Sequence, residues 1–259
     1  MRVTMLGCGS SGGVPLLGPE GWGACDPKDA RNRRRRVSIL VEQRGTRLLV
    51  DTSPDLREQL LAAGVSTLEA VIYTHTHADH LHGIDDLRAV NYVLKRPLDV
   101  WADPASMAEI RRRFSYAFGP APSSDEPGDW YRPVLVAHEY EGPFRVGAIE
   151  IVPFAQQHGR LGSMGLRFGK LAYSTDVKAL SETAFAVLAG VEIWIVDCQG
   201  MEEHRTHSHL AQTLEWIARV RPRRAVLTHL GHTMDYATVR ALCPPGVEPG
   251  VDGLVLDCG

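Results

Sequence analysis

Apolar residues in this chain fall into short runs rich in Val, Ile and Leu, most of them bounded by Gly, Pro or Asp. Such runs predict strands at Val3–Leu6, Val37–Glu42, Arg47–Asp51, Ala70–Thr74, Leu98–Trp101, Ile149–Phe154, Met164–Phe168, Lys170–Ser174, Val191–Asp197, Ala225–Thr228 and Leu254–Asp257. Helical spacing appears between some of them. It covers Pro54–Ala63, Asp85–Leu94, Pro104–Phe114, Leu180–Leu188, His209–Val220 and Tyr236–Leu242. Residues 8–36 and 119–133 read as loops. Strands that pair early and then alternate with helices predict mixed sheets covered by helices, in the α/β (α+β) class. No linker of disordered composition separates the halves, so residues 1–259 read as one domain.

Composition narrows the function. Hydrophobic residues make up 44% of the 259 positions and charged residues 23%, the balance of a globular chain. With 28 Lys+Arg against 31 Asp+Glu the net charge is -3, which argues against a broad nucleic-acid face. No apolar run reaches the roughly 18–20 residues of a membrane span, and the N-terminus lacks a secretory signal, so a cytoplasmic protein is expected. Cys8, Cys25, Cys198, Cys243 and Cys258 are odd in number and scattered, which suits a reducing compartment better than a disulfide framework.

Gly7-Cys8-Gly9-Ser10-Ser11-Gly12 matches the glycine spacing of a dinucleotide-binding turn. The continuation, with Gly13, Pro15, Gly18, Pro19, Gly21 and Gly23, cannot sustain the helix that would hold a pyrophosphate. A tight turn leaving the first strand is expected instead.

The eleven histidines carry more information. His75, His77, Asp79 and His80 lie within six residues, directly after an apolar strand. In a turning loop the two imidazoles spaced two apart can face one side while Asp79 and His80 reach a second point. His158, Asp176 and His229 each follow another apolar strand, so one sheet edge could collect them all.

His75-x-His77-x-Asp79-His80 followed by a downstream His, a strand-end Asp and a final strand-end His resembles the signature of metallo-β-lactamase-fold hydrolases, over essentially the whole chain. That resemblance implies a four-layer αββα sandwich of two mixed sheets, with two divalent metal ions, Zn or Mn foremost, in a groove at one edge. Carried over by position, His75, His77 and His158 would hold one ion, Asp79, His80 and His229 the other, and Asp176 would bridge. A flavodiiron-type oxidoreductase would usually carry Glu at the place of His77, which disfavours redox chemistry. Paired ions lower the pKa of a shared water, and the resulting metal-bound hydroxide would attack phosphorus or a carbonyl.

Two features resemble the phosphodiesterase branch of this fold, which includes tRNase Z and PhnP-type enzymes. One is the Leu6-Gly7-Cys8-Gly9-Ser10-Ser11-Gly12-Gly13-Val14-Pro15 opening. The other is His207 in Thr206-His207-Ser208, just before the helix at 209–220, where it would protonate the leaving group. Asp79 and His207 are therefore the expected catalytic residues. tRNase Z usually inserts a long basic arm between the counterparts of His158 and Asp176. Here those positions are 18 apart, room for two short strands and no RNA-binding arm. The expected substrate is a small cyclic-nucleotide, nucleotide or ribosyl phosphodiester. The rivals are a glyoxalase II-like thioester hydrolase, a tRNA 3′-processing nuclease and a non-catalytic metal-containing nucleotide-binding protein. A homodimer is expected only by analogy with the fold family.

PhnP-type proteins can also hold a structural zinc on cysteines of the first loop and a His near the last ligand. Only Cys25 and His232 occupy such places, too few for four N/S ligands, so no structural zinc is expected. Asp51 is expected to orient a ligating imidazole. His82, His138, His204 and His209 receive no metal role. The run Arg31–Arg36 reads as solvated, with one or two arginines that could reach a phosphate. Cys198 could be a thiol nucleophile only beside an activating base, and a metal site makes that unnecessary.

Overall fold

The computed structural model describes residues 1–121 and 130–258; of the expected 119–133 loop, positions 122–129 lie outside the described residues. One sheet contains β1 (Arg2–Gly7), β2 (Ser38–Gln43), β3 (Thr46–Val50), β4 (Ala70–Ile72), β5 (Leu98–Ala102) and β6 (Leu135–Glu139), with β14 (Val255–Asp257) returning to the edge beside β1. The other runs β13-β12-β11-β10-β9-β8-β7. It is built from β7 (Phe144–Val146), β8 (Ile149–Gln156), β9 (Ser163–Phe168), β10 (Leu171–Ser174), β11 (Ile193–Asp197), β12 (Arg224–Thr228) and β13 (Val247–Pro249). Each is a mixed sheet of seven strands. In the first, β3 to β6 are parallel; in the second, β10 to β13 are parallel.

Both faces of these sheets are buried, which is why their strands read as unbroken apolar runs. Ile39, Val41, Leu48 and Val50 point to the seam between the sheets, where they meet Ile151, Leu166, Phe168, Ile193 and Ile195. The alternate residues Leu40 and Leu49 point outward to Leu56, Leu60, Leu87 and Ile110. Those belong to α1 (Leu56–Ala63), α3 (Leu87–Leu94) and α4 (Pro104–Arg113). On the far side Trp194 and Val196 pack with Leu188, Ile217 and Val239, from α5 (Glu182–Leu188), α6 (Leu210–Val220) and α7 (Tyr236–Leu242). Period-two alternation between two apolar environments thus gives the four αββα layers.

Local chemistry sets the boundaries. The β2–β3 hairpin turns through Arg44 and Gly45, both at positive φ, as a two-residue turn matched to strand twist requires. Asp103 caps α4 by accepting from the amides of Ala105 and Ser106, with Pro104 in the first turn. The helix expected over Asp85–Leu94 begins as a 3₁₀ turn at Ile84–Asp86, and a short helix α2 (Ala78–Leu81) was not anticipated. Three further strands, β6, β7 and β13, were also not anticipated.

The glycine-rich opening forms no helix. A Cβ on Gly7 would collide with the carbonyl of Arg36, and one on Gly9 would lie 2.9 Å from the carbonyl oxygen of Arg35. Glycine there lets the end of β1 slot between residues 34–36 and Leu230, with Gly9 forming parallel bridges to Arg36 and Leu230. No helix among the described residues is long and apolar enough to cross a membrane.

Candidate metal centre

Parallel strands deliver their C-terminal ends to one edge. Asp176 lies two residues beyond β10, Asp197 ends β11, and His229 follows β12. From the first sheet, β4 leads into the loop with His75 and His77, then α2 with Asp79 and His80. His158 follows β8. The two sheets are stitched together here by the Met164 amide donating to the Thr74 carbonyl at 3.0 Å. Asp51, Asp176 and His229 all have left-handed backbone (φ 64°, 53° and 57°). That conformation is uncommon outside glycine and costs on the order of 1–3 kcal/mol each, so the surrounding bonds must hold these residues in place.

All seven expected ligand residues converge, and Asp176 stands between two groups. Its Oδ2 lies 3.4 Å from His158 Nε2 and 3.6 Å from His75 Nε2. Its Oδ1 lies 3.0 Å from His80 Nε2 and 3.5 Å from His229 Nε2. His77 Nδ1 completes the first group at 3.1 Å from His158 Nε2. Asp79 Oδ2 completes the second, 3.3 Å from His80 Nε2 and 3.5 Å from His229 Nε2. Within each group the candidate ligand atoms lie inside 4.8 Å of one another, and Asp176, Asp197, His207 and His229 form a third group at the same spacing.

These donors suit divalent cations. The Nε2 atoms of His75 and His80 are buried without a hydrogen-bond partner, although buried polar atoms are normally satisfied. Both point at the shared carboxylate. Three imidazoles plus a carboxylate oxygen on one side, and two imidazoles plus two carboxylates on the other, are sets that Zn(II) or Mn(II) accepts.

Outer partners fix His80 and His158. His80 Nδ1 lies 2.7 Å from Asp51 Oδ2, and that carboxylate also accepts from the amide and hydroxyl of Thr74, each at 2.8 Å. Asp51 therefore orients an imidazole and does not cap α1. His158 Nδ1 donates to the Thr206 carbonyl at 2.8 Å. Ser163 Oγ donates to the Asp176 carbonyl at 2.7 Å, and Gln156 Nε2 to that of Thr175 at 2.9 Å. Replacing Asp51 by Asn keeps the shape but removes the charge that makes His80 a better donor. We expect the affinity of the Asp79/His80/His229 group for its ion to fall by about 10–100-fold, read by chelator competition; unchanged affinity would contradict this role for Asp51.

Electrostatics match the packing. Burial, helped by the charge of His80, holds His75 well below the usual histidine range and so neutral. Burial works against charge on Asp176 too, but His229 and His80 outweigh it and keep the carboxyl well below its usual range. His229 goes the other way: its burial is overcome by Asp176 and Asp79, which lift it to about 9. An ion binding there displaces a proton. Its affinity should therefore rise with pH up to about 9 and fall as the solution is acidified, with proton release measurable by titration calorimetry in buffers of different ionisation enthalpy. Binding that is independent of pH between about 6 and 9 would contradict the expectation.

His207 reaches the same focus. Its Nε2 lies 3.8 Å from Asp176 Oδ2, and its Nδ1 is 3.4 Å from Asp197 Oδ2. Asp197 also sits 3.6 Å from His229 Nδ1 and accepts from the amide and hydroxyl of Ser208, each at 3.1 Å. One buried carboxylate thus stands within ion-pair distance of two imidazoles, hydrogen-bonded to neither. In the sequence Asp197 stands out only as the neighbour of Cys198; the available signal is its position at the end of an apolar strand, the same cue that singles out Asp176. Cys198 is buried, and burial pushes its thiol well up, unlike a nucleophile.

His138 stacks on Trp101 and pairs with Asp99, and His82 is exposed; His204 is exposed too but borders the site, its ring centroid 5.1 Å from that of His207. Arg31 pairs with Asp29, Arg33 lies over Trp22, Arg36 pairs with Asp55, and Arg34 is buried. Among the described residues no ligand-spaced group of three or more His, Cys, Asp or Glu includes Cys25 or His232.

Two mixed sheets between helices with a His/Asp groove at the strand ends define a metallo-β-lactamase-type fold. Residues 46–230 match the family described as a beta-lactamase superfamily domain, and the chain belongs to that superfamily. It is 34% identical over 259 residues to an octanoyltransferase of Porphyromonas gingivalis, covering 98% of this chain and 51% of that protein. It is 30% identical over 143 residues to a ribonuclease Z of a Bradyrhizobium species, covering 52% of this chain and 44% of that protein. The chain spans about half the length of the first of these relatives. A crystal structure of a diphosphatase from the PhnP family superposes with a TM-score of 0.89 at 27% identity, covering 100% of this chain and 98% of that one.

Proposed function

We propose that this protein is a metal-dependent phosphodiesterase that cleaves small nucleotide-class phosphodiesters or diphosphates. The observation that carries the reading is His207: a buried imidazole, 3.4 Å from Asp197, that faces the paired groups without belonging to the seven expected ligands. An alkoxide or phosphate leaving group gains from a proton donor in that place, whereas a thiolate leaves without one.

His75, His77, His158 and Asp176 would hold one ion, and Asp79, His80, His229 and Asp176 the other. When bound, such a pair supplies an ionised water at neutral pH and withdraws charge from the phosphoryl oxygens. Asp197 stands 3.4 Å from His207 Nδ1, on the side away from the groove, and leaves Nε2 facing the leaving group. Asp79 and Asp176 stay ionised and balance the charge gathered in the groove.

Size agrees with a small substrate. His158 and Asp176 are 18 positions apart with β9 and β10 between them, leaving no room there for a long RNA-binding arm. A cavity of about 360 Å³ borders His75 and is walled by Asp103, Ser106, Arg113, Leu161 and Met164. That volume suits a nucleoside-sized group. The PhnP-family diphosphatase supports the same reading.

The octanoyltransferase relative, about half of which this chain spans, supports a second reading, acyl transfer or hydrolysis of an octanoyl thioester. Rates on bis(p-nitrophenyl) phosphate, a nucleoside 2′,3′-cyclic phosphate, a dinucleoside diphosphate and an octanoyl thioester decide between them. We expect turnover of phosphorus esters or anhydrides. Turnover of the thioester alone would overturn the proposal, and a metal-loaded protein inert on the whole panel would leave a binding protein.

A further inference from the structure

Arg34 is 2% exposed, yet no carboxylate pairs with it among the described residues. A buried cation costs several kcal/mol unless well bonded, so what it holds should matter. Its Nη2 donates to the Met234 carbonyl at 2.7 Å and to Asn32 Oδ1 at 3.1 Å; its Nη1 donates to the Gly231 carbonyl at 3.3 Å and lies 3.9 Å from Cys25 Sγ. Gly231 and Met234 are the ends of one turn, closed by the Met234 amide donating to Gly231 at 3.1 Å. That turn begins two residues after His229, a candidate ligand with left-handed backbone.

The neighbouring bonds make this a clamp. Arg34 and Val14 exchange both backbone hydrogen bonds at 2.9 Å, and Leu230 is tied on both sides to Cys8 and Ser10. Asn32, which accepts from Arg34, also accepts from the Tyr236 amide and donates to Asp235. The long first loop is thereby fixed to the chain on either side of the turn. The planar fork bonds the two carbonyls through two separate nitrogens, a geometry that a single ammonium nitrogen does not have.

We propose that Arg34 is a positioning residue: through the 231–234 turn it sets the place of His229, and so the affinity of the Asp79/His80/His229 group for its cation. The inference rests on the two-ion reading above. Nothing that Arg34 touches belongs to the His75/His77/His158 group, so the effect is one-sided.

The test is release of cobalt(II) or zinc from purified wild-type, Arg34→Ala and Arg34→Lys protein, titrated against a chromogenic chelator, with thermal unfolding alongside. In Arg34→Ala the weaker equivalent dissociates about 10–100-fold more readily, while the other changes less than about twofold. Guanidinium chloride well below denaturing concentration restores it; sodium chloride does not. Arg34→Lys, offered in case the alanine protein does not fold, stays weakened because one ammonium nitrogen cannot occupy both Nη positions. Two ions in the wild type with neither equivalent altered, or both weakened alike without guanidinium rescue, would overturn the inference alone. Fewer than two ions in the wild type would overturn the two-ion reading and this inference with it.

Discussion

Exchanging Asp176 for Asn is expected to lower kcat/KM on a phosphodiester by about 10³-fold or more and to reduce the bound metal from two ions per chain towards one or none. Asp176 presents one oxygen to His75 and His158 and the other to His80 and His229. An amide can offer only one oxygen; its NH₂ donates and repels a cation. Asn is chosen over Ala because Asp176 has φ 53°, a region Asn tolerates. The hydrogen bonds to the Asp176 and Thr175 carbonyls involve backbone and survive the change. Elemental analysis and steady-state rates on the same preparation check the result. An Asp176→Asn protein that keeps both ions and near-normal turnover would contradict the bridging role.

Replacing His207 by Ala should leave both ions in place but slow the cleavage of alkyl-type leaving groups by about 10²–10⁴-fold. The p-nitrophenyl ester, whose leaving group is already a good one, should lose less than about tenfold. The readout is the dependence of rate on leaving-group pKa: steeper in the variant than in the wild type. Equal slopes would make His207 a loop residue held by Asp197 and nothing more. Loss of metal along with rate would instead make it a ligand, since its Nε2 stands only 3.8 Å from the shared carboxylate.

Much of this site was legible because its residues are local or share a cue. His75, His77, Asp79 and His80 are neighbours in sequence, and His158, Asp176 and His229 each follow an apolar run. Asp51 was also readable from its strand-end position. Asp197 carried the same cue but was masked by the adjacent cysteine, and only the folded chain shows it 3.4 Å from His207 and 3.6 Å from His229. Arg34 was indistinguishable from its basic neighbours, since a run of arginines cannot show which one turns inward.

The strands not anticipated have one physical cause. β6, β7 and β13 are three of the four sheet edges. An edge strand has one unpaired side and tends to be short, polar or proline-bearing, which weakens the apolar pattern. Leu-Val-Ala-His-Glu in β6, the three residues of β7 and the Pro249 end of β13 fit that description. The inner strands, buried on both faces, announced themselves. The helix α2 is a single turn carrying two site residues, and a turn that short leaves no periodicity to read.

The most direct test of the central claim is anomalous diffraction from crystals of the zinc- or manganese-loaded protein, measured on both sides of the metal edge. Two peaks roughly 3.5–4 Å apart are expected, one on each side of the Asp176 carboxylate. A single peak, or peaks away from Asp176, would contradict it.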